Sequence, residues 1–169
     1  RLTTEPSDEN IPSWSRDGRF VYFSSDRTGR LQIWKVPGNG GDPVQITRSG
    51  GMYAVETFDG KSMCYRSTDV LADIWTTSAN GGDESRVIRQ VVGYPTIAMA
   101  KEGLYYLSNL SVNSAQLDFY RFADRKSIGL ATIDHPVHRF LSSSPDGKSV
   151  LYSQVDRRDS DLMIIDNFR

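Results

Sequence analysis

The chain repeats itself four times. The dipeptides Asp17-Gly18, Asp59-Gly60, Glu102-Gly103 and Asp146-Gly147 recur at separations of 42, 43 and 44 residues. A second marker follows each at a similar offset: Gln32-Ile33-Trp34, Asp73-Ile74-Trp75, Asp118-Phe119-Tyr120 and Asp161-Leu162-Met163. Two markers kept in one phase over four copies mean one structural unit used four times. A period of ~40–45 residues built from short β runs is the signature of a β-propeller. We therefore expect an all-β fold, a β-propeller with four repeats of four-stranded antiparallel blades.

Each repeat divides into four strands. In the first, residues 11–15, 20–25, 31–37 and 43–47 alternate with turns at Asp17-Gly18, Asp26-Arg27-Thr28-Gly29 and Asn39-Gly40-Gly41-Asp42. Glycine at the first of these turns supplies a positive φ without steric cost. The second repeat copies the last turn letter for letter as Asn80-Gly81-Gly82-Asp83. The expected blades are residues 5–47, 48–89, 90–132 and 133–169. The apolar material suffices for such a fold: 38% of the 169 residues are hydrophobic and 11% aromatic, concentrated in runs of five or six.

The ends decide between two topologies. The fourth repeat stops after its third strand, and residues 1–4 resemble the end of an outer strand. These four residues either close a compact four-bladed ring or form the outer strand of a preceding blade, making the chain the C-terminal part of a larger propeller. The second reading is preferred. It requires the open faces to be covered by further blades or by another copy of the chain, a homo-oligomer, because exposed blade faces are large apolar patches.

The wording of the repeats resembles the TolB-type, WD-like propeller repeat of bacteria. Pro12-Ser13-Trp14-Ser15-Arg16-Asp17-Gly18-Arg19 followed by Val21-Tyr22-Phe23-Ser24-Ser25 carries the likeness, as does Ser144-Pro145-Asp146-Gly147-Lys148 followed by Val150-Leu151-Tyr152. The third repeat departs from it, with Lys101-Glu102-Gly103 at the first turn and a longer connection at residues 109–116. The ending Ser160-Asp161-Leu162-Met163 through Asn167-Phe168-Arg169 is similar to the C-terminus of bacterial proteins in which a winged-helix DNA-binding domain or a kinase domain precedes such a propeller. That resemblance implies a signalling or transcription-regulating parent in the cytoplasm or periplasm.

The repeat itself explains the conspicuous residues. Trp34 and Trp75, with Tyr120 and Met163 in their place later, would wedge between neighbouring sheets, each contributing on the order of 2–3 kcal/mol. Asp73, Asp118 and Asp161 share one repeated position and would satisfy turn amides. Three carboxylates in residues 156–161 are offset by Arg157 and Arg158, and no glycine-turned calcium loop accompanies them. His135 and His138 form a loop pair without a third ligand, and some TolB-like propellers are lyases that hold a metal with a histidine cluster, which this chain cannot assemble alone. No Gly-x-Ser-x-Gly elbow occurs, and Gly38-Asn39-Gly40-Gly41 leads into a strand, not a phosphate-binding helix. Catalytic, cofactor-binding and metal-binding residues are all expected to be none. The lone Cys64 lies in a strand-like run and reads as a buried, inert thiol.

What remains is a rigid disc with a binding face. Connections between blades (residues 48–53, 90–95 and 133–138) gather with the hairpins at 26–30, 68–72, 109–116 and 156–160. They bring Arg27, Arg48, Tyr53, Asp69, Tyr94, His135, Asp156 and Arg157 to one face, a mixed polar and aromatic set suited to protein or peptide contacts. A net charge of −1 carries no basic footprint, so nucleic-acid contact by this segment is not expected, and no apolar run reaches membrane-spanning length. The expectation is a non-catalytic interaction or sensing module. The alternatives are the accessory propeller of a peptidase and a metal-dependent carbohydrate-active propeller.

Overall fold

The computed structural model describes residues 1–69, 72–91 and 97–154, which contain strands and turns and no helix. Strands β1 (Glu9–Trp14), β2 (Phe20–Ser25), β3 (Gln32–Pro37) and β4 (Val44–Gln45) form the first sheet. The second holds β5 (Met52–Glu56), β6 (Ser62–Arg66), β7 (Ala72–Ser78) and β8 (Ser85–Val91). The third holds β9 (Ile97–Ala100), β10 (Gly103–Ser108), β11 (Ala115–Arg121) and β12 (Lys126–Ile133). A fourth begins with β13 (Val137–Ser143) paired to β14 (Val150–Gln154). Every pairing is antiparallel between consecutive strands, so each sheet is a meander.

The Asp-Gly turns work through a hydroxyl two residues before the aspartate. Ser15 Oγ donates to Asp17 Oδ1 at 2.7 Å, and the carboxylate also accepts from Arg19 N at 3.0 Å. Thr57 with Asp59, and Ser144 with Asp146, repeat the arrangement at 2.7 and 2.6 Å. The glycines sit at φ +70°, +69° and +70°, where a Cβ would be strained. These bonds hold all three carboxyls below the usual range, that of Asp17 at about 2, chiefly through the Arg19 amide. The third repeat has Ala100 where the hydroxyl stands and makes a two-residue turn instead. There Gly103 is needed for close approach, since a Cβ would lie 2.0 Å from the Tyr120 carbonyl oxygen.

Alternation along the strands gives each sheet two apolar sides. Tyr22, Ile33 and Ile46 of the first sheet meet Ala54, Met63 and Tyr65 of the second, with Trp75 against them. Cys64, Ile74 and Ile88 of the second meet Ile97, Met99, Leu104 and Tyr120 of the third. Fully burying a side chain such as Ile33, Met63 or Leu104 stabilises by about 2 kcal/mol. Burial pushes the Cys64 thiol up to about 12, which leaves it protonated and unreactive at neutral pH. Trp75 thus wedges against the preceding sheet, as does Tyr120. Trp34 lies on the opposite side of the first sheet, clustered with Val21, Phe23 and Val36.

Polar ties cross the wedges near the axis. Ser13 Oγ donates to the Ala54 carbonyl at 3.0 Å, and Ser143 Oγ to that of Met99 at 2.7 Å. Buried Glu56 on β5 accepts from Tyr22 Oη at 2.8 Å and from Arg16 N at 2.5 Å, both on the first sheet. At the position the repeat shares, Asp73 pairs with Arg86 and Asp118 accepts from Ser108 Oγ, a side-chain partner across the sheet in each case.

The sheets fan into an open arc: first packs on second, second on third, third on fourth. The open outer side of the first sheet is partly covered by the N-terminal residues, which form no strand. Leu2 and Thr3 line a groove there with Val21, Phe23 and Val36. The third strand that the repeat predicts at Asp161-Leu162-Met163 lies outside the described residues.

Candidate functional site

The topology places the hairpins joining β2 to β3 and β6 to β7, together with the connections between sheets, at one end of the strands. Arg48, Asp69 and His135 are exposed on that rim. Arg48 is anchored through its backbone: its N–H donates to Glu84 Oε1 at 2.6 Å and its carbonyl accepts from Gln32 Nε2 at 3.1 Å, which leaves the guanidinium in solvent. The Asp69 carbonyl accepts from Arg66 Nη2 at 3.3 Å, fixing that hairpin.

Tyr53 is half-buried, packed against the core between the second and third sheets, and burial raises its phenol. Arg27 is engaged within the molecule. Its guanidinium pairs with Glu9 and lies 4.7 Å from the centre of the Trp34 ring and 5.4 Å from that of Phe23, and the side chain is only 11% exposed. It therefore shields the outer side of the first sheet. Tyr94, Asp156 and Arg157 lie outside the described residues.

A feature without any sequence signal underlies the rim. Three of the four innermost strands carry a register shift, between Asn10 and Ser13 in β1, between Met52 and Val55 in β5, and between Val137 and Leu141 in β13, while β9 pairs with β10 in unbroken register. At the first two, Ile11 and Tyr53 occupy equivalent places with φ of +53° and +57°. A left-handed backbone costs a β-branched or aromatic residue about 1–2 kcal/mol, and bulges re-aim side chains at the ends of strands. Beside Tyr53, the Met52 Sδ accepts from Arg66 Nη1 at 3.2 Å, adding a soft, adaptable contact to the same mouth.

The opposite face carries a cleft of about 720 Å³ between the second and third sheets. Phe58, Tyr120 and Phe122 wall it, and Arg86, Lys101 and Arg125 surround it. These six residues come from turns and strands of two repeats, so no local motif announces them. No group of three or more potential metal-ligating side chains is brought together among the described residues.

No family model matches the chain. The uncharacterized protein Atu1656 of Agrobacterium fabrum is 45% identical over 49 residues, which span 29% of this chain and 17% of that protein. Among solved structures, TolB from Acinetobacter baumannii superposes with a TM-score of 0.63 at 17% identity, covering 77% of this chain and 34% of TolB. An oligogalacturonate lyase from Vibrio parahaemolyticus superposes with a TM-score of 0.74 at 13% identity, over 94% of this chain and 50% of the lyase. A chain of a nidogen/laminin complex gives 0.71 at 12% identity, over 88% of this chain and 57% of that one. The chain thus spans between about a third and three-fifths of these structures. The fold is that of a TolB-like β-propeller, in the form of a partial ring, and these structures share it across unrelated activities.

Proposed function

We propose that the chain is a non-catalytic interaction or sensing module of a bacterial signalling or transcription-regulating protein, and that it captures a protein or peptide on the face formed by the inter-sheet connections. The observation that carries this reading is the repeated bulge at the mouth of the inner strands. Equivalent strain at Ile11 and Tyr53 is held in place by the surrounding sheets, and strain of this kind concentrates where a surface is shaped for a partner. The exposed Arg48, Asp69 and His135 supply a mixed-charge rim around it, and half-buried Tyr53 offers the aromatic anchor that interface centres favour. The nidogen/laminin complex, where this fold occurs in a protein assembly, is consistent with such use.

The test compares two faces of one molecule. Immobilised chain is cross-linked in bacterial extract as wild type, as the Arg48→Glu/Asp69→Arg variant, and as the Arg125→Glu variant of the opposite face. Capture of a discrete partner that is lost only in the first variant supports the reading. Capture that ignores the rim substitutions, or no discrete capture at all, overturns it.

A further inference from the structure

We propose that the cleft between the second and third sheets, on the face opposite the rim, is a second binding site that takes a short acidic peptide segment with an apolar side chain between its carboxylates. The assignment stands on the cleft's own geometry and is independent of the reading given for the rim. Its walls are aromatic and fixed. Tyr120 and Phe122 meet edge to face with ring centres 6.0 Å apart, and both pack on the core between the two sheets. Phe58 faces them from the other sheet, its ring covered by the Arg16 guanidinium at 3.5 Å.

The charge around these walls is predominantly positive. Arg86 stands on the wall formed by the second sheet, steadied by Asp73 at 3.1 Å, while Lys101 and Arg125 rise from two turns of the third sheet on the other side. The one carboxylate of the lining, Asp59, is spent on its own turn, accepting from Thr57 Oγ1 at 2.7 Å and Lys61 N at 3.1 Å. The lining holds three cations against one anion, and with Arg86 paired to Asp73 the positive excess comes chiefly from Lys101 and Arg125, in a chain whose net charge is −1. Cations on both walls with an aromatic floor between them match carboxylates flanking an aromatic or aliphatic side chain. The volume falls in the range of built ligand sites, roughly 300–1,000 Å³, and the arginine and aromatic content is that of binding hot spots.

The probe is a fluorescein-labelled, N-acetylated peptide alternating aspartate and phenylalanine, titrated with the full chain and read by anisotropy. Saturable binding is expected, weakening as salt is raised. Lys101→Glu with Arg125→Glu should weaken it roughly tenfold or more, because reversing two exposed charges replaces attraction by repulsion. Arg48→Glu on the rim should leave it unchanged, and this separates failure here from failure of the rim. Both cleft substitutions lie in exposed turns; thermal unfolding checks that the variant folds, and Lys101→Gln with Arg125→Gln gives the same reading with a smaller loss. Equal affinity for the reversed or neutralised variants, binding of a lysine–phenylalanine peptide as tightly, or displacement by inorganic phosphate as effective as by unlabelled peptide would each overturn the assignment.

Discussion

Replacing Tyr22 by phenylalanine isolates a single atom at the joint between the first two sheets. The ring is 1% exposed and keeps its packing in the variant, so the apolar contribution is unchanged. What disappears is the hydroxyl that donates to Glu56 Oε1 at 2.8 Å and reaches the Ala79 carbonyl at 3.4 Å. Glu56 is 8% exposed and keeps only the Arg16 amide of the two partners described for its carboxylate. Hydrogen bonds to charged groups contribute about 1.5–3 kcal/mol, and a buried carboxylate deprived of one is left poorly solvated. We expect a loss of about 2–3 kcal/mol, seen as a lower urea midpoint at unchanged slope and a fall in Tm of about 5–10 °C for a chain of this size. Tyr65→Phe is the internal comparison: its hydroxyl donates to Glu84 at 2.8 Å, but that carboxylate is half-exposed, so about 1 kcal/mol is expected. A Tyr22→Phe loss below about 0.5 kcal/mol, or one no larger than that of Tyr65→Phe, would refute the claim that burial of Glu56 sets the value of this bond.

Two further outcomes follow from the turns. Gly103→Ala should cost about 3 kcal/mol or more, because its Cβ would collide with backbone at 2.0 Å, whereas Gly18→Ala, facing open space at φ +70°, should cost about 1 kcal/mol; urea midpoints rank the two. On acidification, the carboxyls of Asp17, Asp59 and Asp146 have folded-state values below the unfolded 3.8, so their stabilisation is present above about pH 4 and is lost as pH falls towards 2. Unfolding midpoints measured between pH 5 and pH 2 should therefore decline, and Asp17→Asn, which keeps an acceptor but does not titrate, should decline less steeply.

The fold was legible because its punctuation is chemical. Asp-Gly preceded by a hydroxyl specifies one turn wherever it occurs, and the aromatic at the third strand marks the side of each sheet that faces the preceding unit. The third repeat was harder to read because Ala100 removes the hydroxyl and the turn shortens. The rim was only partly legible. Topology places these loop residues at one end of the strands, but it cannot tell that Arg27 folds back over Trp34 while Arg48 remains in solvent. The bulges were invisible, since isoleucine and tyrosine are poor residues for a left-handed backbone and only the packed sheets impose it. The cleft was missed for a different reason: its walls and charges are separated by tens of residues and meet only when two sheets splay.

The rings at the third-strand position all lean the same way: Trp75 onto the sheet before it, Tyr120 likewise, and Trp34 away from both. The fan consequently has a head and a tail, as nested spoons do. A unit inserted the wrong way round would set bulk against bulk at one joint and leave a hollow at the next. A duplicated unit, by contrast, arrives already matched to both neighbours, so gaining or losing one alters the sweep of the fan while every joint keeps its chemistry.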